Sequence, residues 1–126
     1  MSKILQNLEH LYWMIQAEPK KKINMQQWKQ EDPVCGTLHC SLGLATTSEF
    51  FQAQGLKFHG GFVLLNGDSD VERFDALFGP KAYYMLFDRA TEAEENKFPN
   101  NHKKIALARL RKRIVKYKKT GVPDNE

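Results

Sequence analysis

Proline and turn-forming glycine cut this chain repeatedly, and apolar residues keep a sustained helical spacing only in its first and last segments. The breaks fall at Pro19, Pro33, Gly55, Gly60-Gly61, Gly67, Gly79-Pro80, Pro99 and Gly121. Proline lacks the amide donor that a helix interior or a strand ladder needs, and glycine supplies the positive φ that many turns require. Pieces this short hold together by packing their apolar faces on one another, not by intrinsic propensity. With 126 residues, the whole chain, 1–126, reads as a single domain around one core. The expected fold is α+β and predominantly helical, with short helices around that core, a small β-hairpin and a basic C-terminal helix.

Local signals place the elements. Ser2 is a cap for a helix through Ala17, where Ile4, Leu8, Leu11 and Ile15 recur at helical spacing and Leu5 and Tyr12 widen the stripe. Lys20-Lys21-Lys22 follows Pro19 as a short basic connector, and Ile23 to Trp28 reads as a turn or an extended piece. A helix is expected over Thr37 to Ala45, with Ser41, Gly43 and Ala45 allowing close approach of a neighbour. Thr46 and Glu49 have the spacing of a capping box, which predicts a second short helix to Gln54. Lys57-Phe58-His59 and Phe62-Val63-Leu64-Leu65 read as the strands of a hairpin about Gly60-Gly61. Asp70 or Ser69 caps a helix carrying Val71, Phe74, Leu77 and Phe78, and Pro80 restarts one across Lys81 to Asp88. Thr91-Glu92-Ala93-Glu94 has a cap signal, yet the run to Asn101 is polar and holds Pro99, so it reads mostly as loop. The last helix spans about 101–119, and residues 121–126 are expected to fray.

The charge is divided unevenly. Of nineteen Lys and Arg, nine fall within residues 103–119, a window without an acid; the other ten stand against all fifteen Asp and Glu, a net of −5. In the last helix Leu107, Leu110, Ile114 and Tyr117 form an apolar seam, while Arg109, Lys112, Lys116 and Lys119 repeat at +3, +4 and +3 on another face. These four cations are the expected binding residues. The surface suits an acidic protein partner or a nucleic-acid backbone, and no finger, helix-turn-helix or RNA-binding signature accompanies it. No window approaches the ~20 apolar residues of a membrane span, and the N-terminus lacks a signal-peptide pattern. A cytoplasmic protein without a membrane partner is the expectation.

The densest chemistry lies in Cys35-Gly36-Thr37-Leu38-His39-Cys40-Ser41-Leu42-Gly43. Cysteines five apart on one helix point about 140° from each other, which opposes a disulfide. Buried free thiols in a reducing compartment are the simpler reading. Cys35 at a helix N-terminus is the candidate nucleophile of a cysteine-dependent hydrolase or transferase, with His59, or His39, as base. Cys35, His39, Cys40 and His59 are the residue types zinc prefers, but Cys40 diverges from the others and paired Cys-x-x-Cys knuckles are absent. No metal or other cofactor is expected. His10 and His102 have no evident partner in the sequence.

From Cys35 to Ala45 the chain resembles a group of small uncharacterised phage and bacterial proteins that share a Cys-Gly-Thr-x-x-Cys-x-x-Gly motif. In that group the motif follows a Trp, here Trp28, and precedes a region like Phe74 to Phe87 and a helix near the end, so the resemblance covers about Trp28 to Ile114. Leu38-His39 stands where two small residues are usual, and Leu44 where an aromatic residue or His often follows the glycine. The resemblance implies a phage-type accessory context and a structural use of the motif, with Gly36 and Gly43 permitting close packing. The expected function is that of a non-enzymatic accessory or host-takeover protein, located in the cytoplasm of an infected bacterium, that binds through the basic C-terminal helix.

Overall fold

The computed structural model describes residues 2–19, 23, 41–59, 62–68 and 70–122. In chain order these form α1 (Lys3–Ala17), α2 (Ser41–Ala45), α3 (Glu49–Gln52), β1 (Leu56–His59), β2 (Phe62–Leu65), a 3-10 turn (Val71–Phe74), α4 (Asp75–Phe78), a π-helical turn (Tyr83–Phe87), α5 (Glu92–Lys97) and α6 (His102–Thr120). The fold is predominantly helical α+β with one small antiparallel hairpin among the described residues.

The two long helices frame the rest. Ser2 caps α1 as its sequence predicts, its Oγ accepting from the Leu5 amide at 3.3 Å, and the helix buries Leu5, Leu8, Leu11 and Ile15. α6 packs along α1, and α2 and α4 also rest on α1. Asn101 caps α6 through the Lys104 amide. The face of α6 turned inward holds Leu110, Ile114 and Tyr117 from the expected seam; Ile105 and Ala106 are also buried, while Leu107 is partly exposed. The core beside them holds an aromatic run in which Phe51 meets Phe78 at 5.5 Å and Phe78 meets Phe87 at 5.1 Å between ring centroids. Phe51, Phe74, Phe78 and Phe87 are fully buried. By area, each such side chain contributes roughly 1.5–3 kcal/mol relative to an exposed one.

The two expected strands pair as an antiparallel hairpin, with the first extended by Leu56, and the register matches Leu56 to Leu65 and His59 to Phe62; Gly60 and Gly61 lie outside the described residues. It touches the core through Leu56, Val63 and Leu65 and leaves Lys57, Phe58 and His59 in solvent.

Several local expectations are corrected. The cap of α3 is Ser48, which accepts from the Phe50 amide at 3.1 Å, not Thr46. The hydroxyls of Thr46 and Thr47 instead donate backward to the carbonyls of Gly43 and Leu44, at 2.6 and 2.7 Å. Threonine bonds its own chain in either direction, and here the open carbonyls at the end of α2 are nearer than a helix start. Pro80 is not the first residue of the next helix, because Lys81 adopts a φ of 58°. The restart is capped from a distance by Asp75, whose carboxylate accepts from the amides of Lys81 and Ala82 at 3.2 and 3.0 Å. The segment 92–97 is helix, not loop: Thr91 and Glu94 make a complete capping box, which stabilises a helix with no buried residue of its own. At the other end, Val122 packs against the core instead of fraying; residues 123–126 and the N-terminal part of the expected helix at 37–45 lie outside the described residues.

Two positions fasten the short elements. Asn7 is fully buried, exchanges hydrogen bonds with the Gln54 amide at 3.1 and 3.0 Å, and donates to the Leu77 carbonyl at 2.9 Å. It ties α1 to the segment after α3 and to the end of α4. Gly79, which ends α4, has φ 98° and ψ 171°, a region open essentially to glycine. A Cβ there would stand 2.6 Å from the Tyr117 hydroxyl and 3.3 Å from Nη1 of Arg113. Gly79→Ala is therefore expected to destabilise the fold by about 1–3 kcal/mol, read as a lower urea midpoint; an unchanged midpoint would show that this corner is free to relax.

Candidate functional site

The nine cations of residues 103–119 divide into two groups. Four are engaged within the molecule. Lys103 donates from Nζ to the carbonyls of Gln16 and Glu18, at 2.9 and 2.7 Å, closing the C-terminal end of α1. Arg109 uses all five guanidinium N–H groups: two grip Glu94 in a fork at 2.8 and 2.7 Å, and three reach the carbonyls of Leu86, Asp88 and Arg89. Arg113 is buried, donates to the Phe78 carbonyl at 3.0 Å, and lies against the Met85 sulfur and over the Tyr117 ring. Burial pushes its pKa down from the ordinary arginine value. Lys118 pairs with Glu9 at 2.7 Å.

The remaining five, Lys104, Arg111, Lys112, Lys116 and Lys119, are exposed, and none of their side chains has a polar partner among the described residues. They share one side of α6, with Ala108 and Val115 between them, over about 22 Å of helix at 1.5 Å per residue. Of the four cations expected to bind, Lys112, Lys116 and Lys119 stand on this face and Arg109 does not. Arg109 is a clamp, 10% exposed, whose fork geometry matches carboxylate and carbonyls that only the folded chain brings together. Lys104 and Arg111 take its place in the exposed set; a helical projection centred on Val115 would have found them, because they fall on the side opposite the buried seam.

This face has distinct flanks. On one side, the π-helical turn runs beside Arg109 and Arg113 with Tyr84 and Met85 exposed. On the other, a groove of about 470 Å³ opens between α1 and α6, lined by Glu9, Tyr12, Arg111, Ile114, Val115 and Lys118. The Lys118–Glu9 pair lies at this groove.

Elsewhere on the surface, the His10 ring stacks on Phe50 at 4.2 Å and meets Trp13 at 5.9 Å, with Nε2 3.4 Å from the Ser48 hydroxyl. Desolvation lowers its pKa, which favours a neutral ring wedged between α1 and α3. His102 also has a partner, Glu95 at 2.9 Å. Both partners are close in space and distant from any sequence signal for them. His59 is exposed on β1, while Cys35, His39 and Cys40 lie outside the described residues. No group of three His, Cys, Asp or Glu side chains among the described residues is placed to hold a metal ion, and no described helix is long and apolar enough to cross a membrane.

The Arg109 clamp carries a pH dependence. Its guanidinium, chiefly by hydrogen bonding, holds the Glu94 carboxyl at about 2, below its ordinary 4.5. A carboxyl whose pKa is depressed by folding stabilises the protein above its unfolded value and ceases to do so as pH falls through the folded one. Stability is thus expected to decline between pH 4.5 and 2, and Glu94→Gln to flatten that decline and to cost about 1–2 kcal/mol at neutral pH after allowance for solvent screening. Denaturant titrations of both proteins at pH 3 and pH 7 check this; parallel pH profiles would remove Glu94 from the account.

Comparison with protein-family models, curated proteins and solved structures finds no match to this chain.

Proposed function

We propose that this protein is a non-enzymatic binding protein that engages an anionic partner, a host protein with an acidic surface or a nucleic acid, through the exposed basic face of α6. The observation that carries the reading is the division of the cations. Where the fold needs positive charge, Lys103, Arg109 and Arg113 supply it, and Lys118 makes an exposed pair with Glu9; five more cations on the same helix have no polar side-chain partner among the described residues. Like charges crowded on a helix face repel and lower stability, and an anionic partner relieves that repulsion. A helix pinned along its opposite side by α1 presents these charges with little ordering cost on binding. The phage-type accessory context is supported by the resemblance of the Cys35 to Ala45 motif. Its second half, Ser41–Ala45, is buried throughout, in keeping with a structural use.

Removing Arg109 from the contact set alters the experiment. Lys112→Glu/Lys116→Glu/Lys119→Glu reverses charge on exposed positions without touching the clamp, so the triple variant is expected to keep its melting temperature and lose its partner. A pull-down from bacterial lysate with both proteins, with and without nuclease and at 50 and 200 mM salt, tests this. A discrete protein or a nucleic acid held by the wild type, weakened at the higher salt and absent with the variant is the expected result. Equal capture by the two proteins would refute the assignment.

A further inference from the structure

Charge explains an attraction, but it does not explain the apolar surface set among the charges. Val115 sits in the middle of the basic face and is 54% exposed. It also forms one wall of the groove between α1 and α6, where Tyr12 and Ile114 supply the other apolar lining and Arg111 and Lys118 the cations. A phosphate backbone is met by cations and hydrogen-bond donors and has no use for an apolar groove. A protein segment that carries both carboxylates and an aliphatic or aromatic side chain satisfies both halves of the surface.

We infer that the groove between α1 and α6 receives an apolar anchor residue of an acidic amphipathic protein segment, while its carboxylates pair with the neighbouring cations of α6. The inference rests on the binding role proposed above and narrows its partner to protein. Three observations support the occupant. The groove volume falls in the range of natural small-ligand sites and admits one large apolar side chain. Charge complementarity favours an acidic segment, since Arg111 and Lys118 line the groove and Lys104, Lys112 and Lys119 continue the same face. Glu9, the acid among the described residues that line the groove, is paired with Lys118, and both side chains are partly exposed, at 34% and 56%. Exposed pairs of this kind contribute little stability, so Lys118 exchanges Glu9 for an incoming carboxylate at small cost. The arrangement is the helix-in-groove mode of recognition, in which apolar anchors set affinity and charges set the approach.

The test uses two fluorescein-labelled 14-residue peptides rich in Glu, one with Leu at positions i and i+4 and one with Ser at both, together with a 20-base-pair DNA duplex as competitor. Binding by anisotropy is measured for the wild type, for Val115→Ser, and for the triple charge reversal. Val115 is exposed, so its substitution leaves the melting temperature unchanged and the fold intact. The Leu peptide is expected to bind the wild type ~10-fold more tightly than the Ser peptide, the gain of burying an aliphatic side chain. That preference should fall toward one in Val115→Ser, and both peptides should be lost together in the charge reversal. Equal affinity of the two peptides for the wild type, or an undiminished preference in Val115→Ser, overturns the groove while leaving the electrostatic face standing. A duplex that outcompetes both peptides regardless of Val115 overturns the choice of protein over nucleic acid. Failure of every probe to bind the wild type overturns the groove and the binding reading beneath it.

Discussion

The open carbonyls at the ends of short helices are the constraint on which this structure rests. Each helix leaves up to four C=O groups without an intrahelical partner, and a fold made of four- to six-residue helices has many ends for few residues. Buried carbonyls without a partner are costly. Here the partners come from the long helices: Lys103 meets the end of α1, Arg113 and Asn7 meet the last two carbonyls of α4, and Arg109 meets the end of the π-helical turn. Cations at these ends also lie where the helix dipole is negative. No buried side-chain nitrogen or oxygen among the described residues is left without a hydrogen bond.

That constraint explains why arginine and not lysine occupies 109 and 113. Arg109 satisfies five acceptors belonging to two segments, which a lysine ammonium, with three donors converging on one point, does not reproduce. Arg113 is the more demanding case, because burial strips the cation of hydration and, among the described residues, a carboxylate acts on it only through charge, that of Asp75. Its stem and head are covered by Tyr117, Met85 and the Phe78 carbonyl, and Gly79 makes room for it by having no side chain. The glycine's conformation, the arginine's burial and the tyrosine's position are one packing solution, so a change at any of them is felt at the others.

The sequence made the large features legible where the signal was local or periodic. The apolar stripe of α1, the seam of α6, the Ser2 cap and the strands of the hairpin follow from spacing within a few residues. What it concealed was every choice between local and distant partners. Thr46 and Ser48 are both competent caps, and which one serves depends on where α2 ends. Thr91 and Glu94 signal a helix, but the polar run after them offers no apolar stripe, because α5 draws its stability from the box and from Arg109 instead of from burial. Arg109 looked like part of a solvated stripe, since its spacing to Lys112 is that of a helix face; nothing in the sequence reports that Glu94, fifteen residues earlier, folds back against it. The groove beside Val115 was similarly hidden, being formed by residues from opposite parts of the chain.

The pairing of α1 with α6 has a kinetic side. These helices are separated by more than eighty residues, so the contact that covers the stripe of Leu8, Leu11 and Ile15 closes a loop holding almost all the rest of the fold. Such non-local closure slows folding, and during synthesis the N-terminal helix emerges well before its partner. Until α6 leaves the ribosome, α1 has no long surface to lie on, and the carbonyls of Gln16 and Glu18 wait for Lys103. The helix made later is thus the one that completes the earlier one, and in the interval the apolar stripe of α1 lacks the cover that α6 gives it in the finished fold.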